Sequence, residues 1–130
     1  MWIGTSPPAA ATECVESPFL GVEGIIEGRI AAIRQTSRRI LFWGSNDWEA
    51  RVVSIRPVAG KAYARRFTYY ASDRSGECMR PVAQPKIGQV RLFAVTPIYA
   101  RRANTLEAHF AMTWPEYHSL RSEFLSYAGG

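Results

Sequence analysis

Apolar and polar residues alternate most regularly near the carboxyl end of the chain, over residues 105–112. The apolar positions of this stretch are Leu106, Ala108, Phe110 and Met112, and polar residues such as Glu107 and His109 lie between them. Successive side chains of a β-strand point to opposite faces, so the alternation predicts a half-buried strand. With the apolar stretch 89–99 before it, the pattern predicts a hairpin that turns at residues 101–104.

An isoleucine-rich stretch, residues 25–34, predicts an earlier strand, because β-branched side chains fit the pleated surface of a sheet. Gly28 interrupts this stretch. Glycine weakens a regular strand, so its presence predicts a bulge or a sharp bend at that point. Residues 36–37 then predict a turn that leads into the next hairpin.

The basic and aromatic stretch 38–53 predicts a hairpin with its loop at residues 44–47. In this register Trp43 faces Trp48, because opposed residues of two paired strands share a face. That face is mostly apolar. Both tryptophans are therefore expected in the core or at its edge.

The opposite face of this predicted hairpin carries Phe42 together with Arg38 and Arg51. Aromatic and cationic side chains on one exposed face suit a ligand, so these three residues are expected to meet one. The expectation depends on the register, since a slip of one residue would exchange the two faces.

Residues 61–70 predict a further strand that is rich in aromatic and basic side chains. Its odd-numbered positions share one face and are Tyr63, Arg65, Phe67 and Tyr69. Alanines and Thr68 occupy much of the other face, so the large side chains fit either a ligand-binding surface or the core. The loop 72–88 that follows contains prolines and glycines, and loops of this length in a compact domain are often functional.

The sequence Thr113-Trp-Pro-Glu116 predicts the start of a helix, because it combines a capping box with proline in the first turn. The helix is predicted over residues 114–127 and ends at Ala-Gly-Gly. Its apolar stripe contains Trp114, Tyr117, Leu120 and Phe124. This stripe is expected to cover an opening in the sheet or barrel.

The predicted elements indicate a mainly β (α+β) fold: a small five- or six-stranded antiparallel barrel or a strongly curved sheet, with one C-terminal helix. The chain of 130 residues fits a single domain. Residues 1–18 are rich in Pro, Ala, Ser and Thr and predict a flexible arm, which leaves residues 19–130 as the domain.

Charge adds one suggestion about function. The formal net charge is +5, and fourteen of the sixteen cationic side chains are arginines. Guanidinium groups bind phosphates through two parallel hydrogen bonds and stack on flat rings, so the balance favours a polyanionic partner such as nucleic acid. The same balance is also typical of an ordinary solvated surface that uses arginine in place of lysine.

Other chemistry has little support. Cys14 and Cys78 lack the spacing of zinc or redox motifs and are expected to be two reduced thiols, although a pairing between them stays open. We find no nucleophile motif, phosphate loop or metal-ligand cluster, so no catalytic residue, metal or cofactor is assigned. The start of the chain lacks a signal peptide and no stretch has the ~20 apolar residues of a membrane helix, so a cytoplasmic protein without membrane contact is expected.

The order of these elements resembles the oligonucleotide/oligosaccharide-binding (OB) barrel: a long first strand with an internal glycine, two more strands, then two later strands and a helix. In size and strand pattern the chain is similar to single-stranded-DNA-binding proteins of phages, plasmids and integrative elements. One departure is that the commonest OB barrel has its helix between the third and fourth strands, where this chain has prolines and glycines. A curved sheet wrapped on the C-terminal helix fits the same elements.

The combined prediction is a non-enzymatic module that binds single-stranded DNA or RNA. Its predicted base-stacking residues are Phe42, Tyr63, Phe67 and Tyr69. Its predicted phosphate contacts are Arg38, Arg51, Arg65, Arg66, Arg101 and Arg102. Two alternatives stay open: a small interaction or inhibitor protein acting on a host protein, and an RNA-cleaving enzyme that uses His109 or His118. A homodimer through exposed strand edges also stays open.

Overall fold

The computed structural model describes residues 19–74, 82–98 and 105–127. Its elements are β1 (Gly24–Ser37), β2 (Asp47–Gly60), β3 (Arg66–Ser72), β4 (Val90–Pro97), β5 (Leu106–Met112) and α1 (Trp114–Tyr127). The predicted arm 1–18, both cysteines and the predicted phosphate contacts Arg101 and Arg102 lie outside the described residues.

The five strands form a closed barrel in the order β1-β2-β3-β5-β4, which returns to β1. This confirms the predicted barrel and excludes the open curved sheet. Four of the neighbouring pairs are antiparallel, but β3 and β5 run parallel and pair at Thr68↔Glu107 and Tyr69↔Ala108. The predicted hairpin of β4 and β5 is confirmed.

The first strand is long because it contributes to two sides of the barrel. Its residues 24–29 pair with β4, while nearly its whole length pairs with β2. A register shift between Glu27 and Gly28 confirms the predicted bulge. A Cβ atom at Gly28 would lie 2.4 Å from Cγ1 of Val52, so glycine lets the two strands approach closely at this bend.

The predicted register of the β1–β2 hairpin is wrong. The first strand continues through Ser37, which pairs with Asp47, and Trp48 pairs with Gln35 rather than with Trp43. Residues 38–46 therefore form a loop of their own. Trp48 is buried as predicted, whereas Trp43 is 77% exposed.

Alternation along the strands builds two separate apolar clusters. The interior of the barrel contains Ile26, Ile30, Trp48, Ala50, Val52, Phe67, Tyr69, Phe93, Val95 and Ala108. A second cluster lies on the outer side of β1, β4 and β5 and contains Phe19, Val22, Ile25, Leu92, Ala94, Met112, Tyr117 and Phe124. The fourth strand is apolar at consecutive positions because both of its faces are buried.

The helix α1 begins at the predicted capping box. The backbone N–H of Thr113 donates to Oε1 of Glu116 at 2.7 Å, and the N–H of Glu116 donates to Oγ1 of Thr113 at 3.4 Å. The predicted stripe packs into the second apolar cluster. The stripe covers the outer face of the barrel and not an opening. The strand residues that it contacts alternate along the strands with those that fill the interior.

A polar contact fixes the start of the helix on β1. Nε1–H of Trp114 donates to Oε2 of Glu27 at 3.0 Å, and Nε–H of Arg56 donates to Oε1 of the same carboxylate at 2.8 Å. The Arg56 guanidinium also lies 5.3 Å from the centre of the Trp114 ring. Both hydrogen bonds, first that of Arg56 and then that of Trp114, lower the pKa of Glu27 below its ordinary value of 4.5.

Candidate functional site

Four consecutive and highly exposed apolar side chains lie at the end of the β1–β2 hairpin. They are Ile40, Leu41, Phe42 and Trp43, which we call the apolar tip, and they are 69%, 81%, 94% and 77% exposed. Scattered apolar residues on a surface are ordinary, but four consecutive ones form a patch, and such patches mark binding surfaces. The apolar tip is therefore the first candidate for contact with a ligand.

The apolar tip has a defined backbone conformation. The N–H of Ile40 donates to the carbonyl of Trp43 at 3.0 Å, and the N–H of Trp43 donates to the carbonyl of Ile40 at 2.9 Å. These two bonds close a two-residue turn made of Leu41 and Phe42. Leu41 has a φ of 55°, a left-handed conformation that costs an L-residue about 1–2 kcal/mol. Strain of this kind is common where the backbone presents side chains to a ligand.

A polar clamp at the base of the loop supports the apolar tip. The carboxylate of Asp73 accepts three hydrogen bonds: from the backbone N–H of Asn46 at 2.9 Å, from Nδ2 of Asn46 at 2.8 Å, and from Nη2 of Arg39 at 3.1 Å. The N–H of Arg39 in turn donates to Oδ1 of Asn46 at 3.0 Å. The hydrogen bonds from Asn46 lower the pKa of Asp73. We use "polar clamp" below for Arg39, Asn46 and Asp73.

The outer face of β1, β2 and β3 continues from the apolar tip and carries arginines. Cross-strand pairing places Arg51 opposite Thr68, and Arg66 opposite Val53. Arg51 and Arg66 are exposed, and neither has an acidic partner among the residues that the structure describes. Arg34 differs, because its Nη2 lies 3.0 Å from Oε1 of Glu49. Two guanidinium groups are thus free to bind an anion on this face.

A small cluster of polar aromatic groups borders the arginines. The rings of Tyr70 and His109 stack with their centres 5.3 Å apart, and Nε2 of His109 contacts Oε2 of Glu107. His118 has other neighbours, since it lies on α1 beside Trp114, with ring centres 5.8 Å apart. The described ring and hydrogen-bond contacts do not join the two histidines.

The structure leaves several predicted site residues exposed and buries others. Phe42 and Arg38 lie in the loop 38–46, and Tyr63 and Arg65 are exposed in the connection between β2 and β3. Together with Arg51 and Arg66 of the outer face, they are accessible to a ligand.

The prediction that Phe67 and Tyr69 stack on bases is wrong. Both are buried inside the barrel, where their ring centres lie 5.5 and 5.1 Å from that of Phe93. Burial also raises the pKa of the Tyr69 hydroxyl. Their rings stabilise the core and are not available to stack on a base at the surface.

The sequence reasoning missed Ile40, Leu41 and Trp43 as surface residues. Four consecutive apolar positions suit neither face of an alternating strand, and that break in the pattern was the available signal. The run is bounded by Arg38-Arg39 on one side and by Gly44-Ser-Asn-Asp47 on the other, which is a turn-forming sequence.

Neither a protein-family model, nor a curated protein, nor a solved structure matches this chain. In the described ranges, no group of three or more His, Cys, Asp and Glu residues is placed to hold a metal ion. The described helix is too short and too polar to span a membrane.

Proposed function

We propose that the protein is a non-enzymatic module that binds single-stranded DNA or RNA. The observation that carries this proposal is the apolar tip, which presents Phe42 and Trp43 to solvent beside an arginine-bearing strand face. Stacking of a base on an aromatic side chain contributes about 1–3 kcal/mol, and every base has a flat face that can stack. The arginines supply the contacts to phosphate that an extended strand requires.

The architecture supports the same proposal. Five-stranded OB barrels bind oligonucleotides with the face of their second and third strands and with the loops between strands 1 and 2 and between strands 4 and 5. In this protein the apolar tip lies between β1 and β2, and the free arginines lie on β2 and β3. In the sequence, the predicted contacts Arg101 and Arg102 lie between the residues of β4 and those of β5, outside the described residues.

The test is a fluorescence titration with oligo-dT and oligo-U at about 50 and about 200 mM salt. Trp43 is an exposed fluorescent reporter, and Phe42→Ala removes the neighbouring ring while keeping this tryptophan. We expect saturable binding that weakens as salt rises, and about tenfold weaker binding for Phe42→Ala. Leu125→Ala is the matched control, because Leu125 is also an exposed apolar side chain but lies on α1. Absence of binding at the lower salt would refute the proposal.

The apolar tip also favours a second candidate, a protein partner that buries it in a pocket. Interfaces of this kind depend on a few aromatic anchors and bury them away from water. Affinity for such a partner would change little with salt, whereas contacts to phosphate make affinity fall steeply. Two results together would favour this candidate. A host protein would be pulled down at high salt by the wild type but not by Trp43→Ala, and the wild type would bind no oligonucleotide.

A further inference from the structure

A groove with a volume of about 610 Å³ lies where β1, β2, β3 and the start of β5 come together. Arg51, Arg66 and Thr68 line it with side chains that point outward from the barrel. Val53 also lines the groove, is 42% exposed and pairs with Arg66, so it adds an apolar side chain on the same outward face. The groove therefore combines the apolar side chain of Val53 with the guanidinium groups of Arg51 and Arg66 and the hydroxyl group of Thr68.

The two arginines of the groove are well placed to share one anion. Arg51 pairs with Thr68, and Arg66 lies two residues before Thr68 on the same strand. Diagonal neighbours of this kind on one face of an antiparallel pair are about 7–8 Å apart, within the combined reach of two guanidinium groups. Each group can donate two parallel hydrogen bonds to a phosphate.

Small side chains on β1 keep the groove open. Ala31 and Ala32 line it at the register shift that follows Ile30 in the pairing of β1 with β2. Both alanines are exposed. A larger side chain at either position would occupy the space of a ligand without changing the charge of the site.

We propose that this groove binds one nucleotide, with its base against Val53 and its phosphate between Arg51 and Arg66. The inference rests on the proposed function and deepens it, because it assigns a subsite to one unit of the bound strand. Arg51 lies four residues along β2 from Asp47, a distance of about 13 Å, so a short strand can span the groove and the apolar tip.

The experiment compares two pairs of variants in oligo-dT binding, measured by anisotropy at about 50 and about 200 mM salt. Arg66→Gln is matched with Arg121→Gln, which removes one charge from an exposed position on α1. Ala32→Leu is matched with Ala83→Leu, which enlarges an exposed alanine outside the groove lining. Thermal unfolding of each variant checks that the barrel is intact.

We expect Arg66→Gln to weaken binding about tenfold and to reduce the slope of log K against log salt by about 1. Ala32→Leu is expected to weaken binding with an unchanged slope, because it blocks the base and not the phosphate. Both controls should bind as the wild type does. If the wild type binds oligo-dT and the groove variants bind it no worse than their controls do, the inference is overturned and the proposed function stands.

A second experiment distinguishes binding of a nucleic-acid strand from binding of a free nucleotide. Thymidine monophosphate at millimolar concentration is added as a competitor, and chemical shifts of labelled backbone amides around Arg66 and Thr68 are followed. Shifts that disappear in Ala32→Leu support the groove as a nucleotide site. If they occur while oligo-dT fails to bind, the groove inference holds and the proposed function fails. If neither the monophosphate nor oligo-dT binds the wild type, both are overturned.

Discussion

Asn46 and Asp73 are joined by three hydrogen bonds across 27 residues of sequence. The backbone N–H and Nδ2 of Asn46 donate to the two carboxylate oxygens of Asp73, and the N–H of Asp73 donates to the carbonyl of Asn46 at 3.1 Å. This pair connects the loop 38–46 to the end of β3. It gives the apolar tip a fixed base although the tip itself packs on nothing in the barrel.

Replacement of Asp73 by alanine should loosen the apolar tip without unfolding the barrel. The variant removes all three acceptor contacts of the carboxylate, and a loop that must be ordered on binding loses affinity. We expect faster chymotrypsin cleavage at Phe42 and Trp43 and weaker oligonucleotide binding, with a nearly unchanged melting temperature. Arg74→Ala is the control, since this neighbouring side chain is exposed and lies outside the polar clamp. Equal cleavage of the two variants would mean that the clamp does not order the tip.

The strain at Leu41 predicts an unusual response to glycine. Leu41→Gly removes a left-handed backbone cost of about 1–2 kcal/mol, offset in part by greater freedom of the unfolded chain. We therefore expect a free energy of unfolding equal to that of the wild type or slightly higher, with weaker ligand binding. Ile40→Gly, at an exposed position of ordinary φ, should instead destabilise the protein by roughly 0.5–1 kcal/mol. Urea unfolding of both variants measures the contrast.

The contact of Glu27 with Arg56 and Trp114 predicts a dependence of stability on pH. The pKa of Glu27 is lowered in the folded protein, so the ionised carboxylate stabilises the fold above its unfolded value of 4.5. That contribution is lost as the pH falls through the lower folded value. Glu27→Gln should lower the free energy of unfolding at pH 7 by about 0.5–1 kcal/mol.

The difference between the wild type and Glu27→Gln should shrink as the pH falls below 4.5. Glu123→Gln provides the matched control, because Glu123 lies on α1 outside this contact and has no ion pair within the described residues. Denaturant unfolding at several pH values between pH 7 and the acid limit measures both. A constant difference at every pH would contradict the role of the ionised Glu27.

A comparison of two glycines distinguishes the effect of backbone strain on stability from the effect of steric clash. Gly60 and Gly44 have nearly the same φ, 78° and 79°, but a Cβ atom at Gly60 would lie 2.5 Å from the carbonyl oxygen of Glu23, whereas Gly44 has open space. Gly44→Ala should lower the free energy of unfolding by about 1–2 kcal/mol through backbone strain alone. Gly60→Ala should cost about 1–3 kcal/mol more, because it also forces β1 and β2 apart. Similar losses for the two variants in urea unfolding would show that the barrel yields at Gly60.

Local patterns were enough to predict much of the fold. The strand β5, the bulge at Gly28 and the capping box of Thr113 and Glu116 each depend on residues close together in the chain, and all three are confirmed. The alternation within β5 holds only in part, because Leu106 and Ala108 belong to the interior cluster and Phe110 and Met112 to the outer one. The β4–β5 hairpin follows from the same kind of signal.

The candidate site was harder to predict because distant residues decide it. Whether Phe67 and Tyr69 point inward depends on Phe93 of β4, and both faces of β3 were compatible with the sequence pattern. The loop 38–46 has the composition of a strand, but its base is held by hydrogen bonds between Asn46 and the distant Asp73. Register in such a hairpin depends on these long-range contacts.

The polar clamp also has a consequence for how this protein could diversify. It holds the loop through Arg39, Asn46 and Asp73. The four side chains of the apolar tip are exposed and do not belong to the core of the barrel. Substitutions at these four positions would alter what the molecule presents to its surroundings while the folded scaffold stays the same. One barrel could thereby acquire different binding preferences by exchanging a single tetrapeptide.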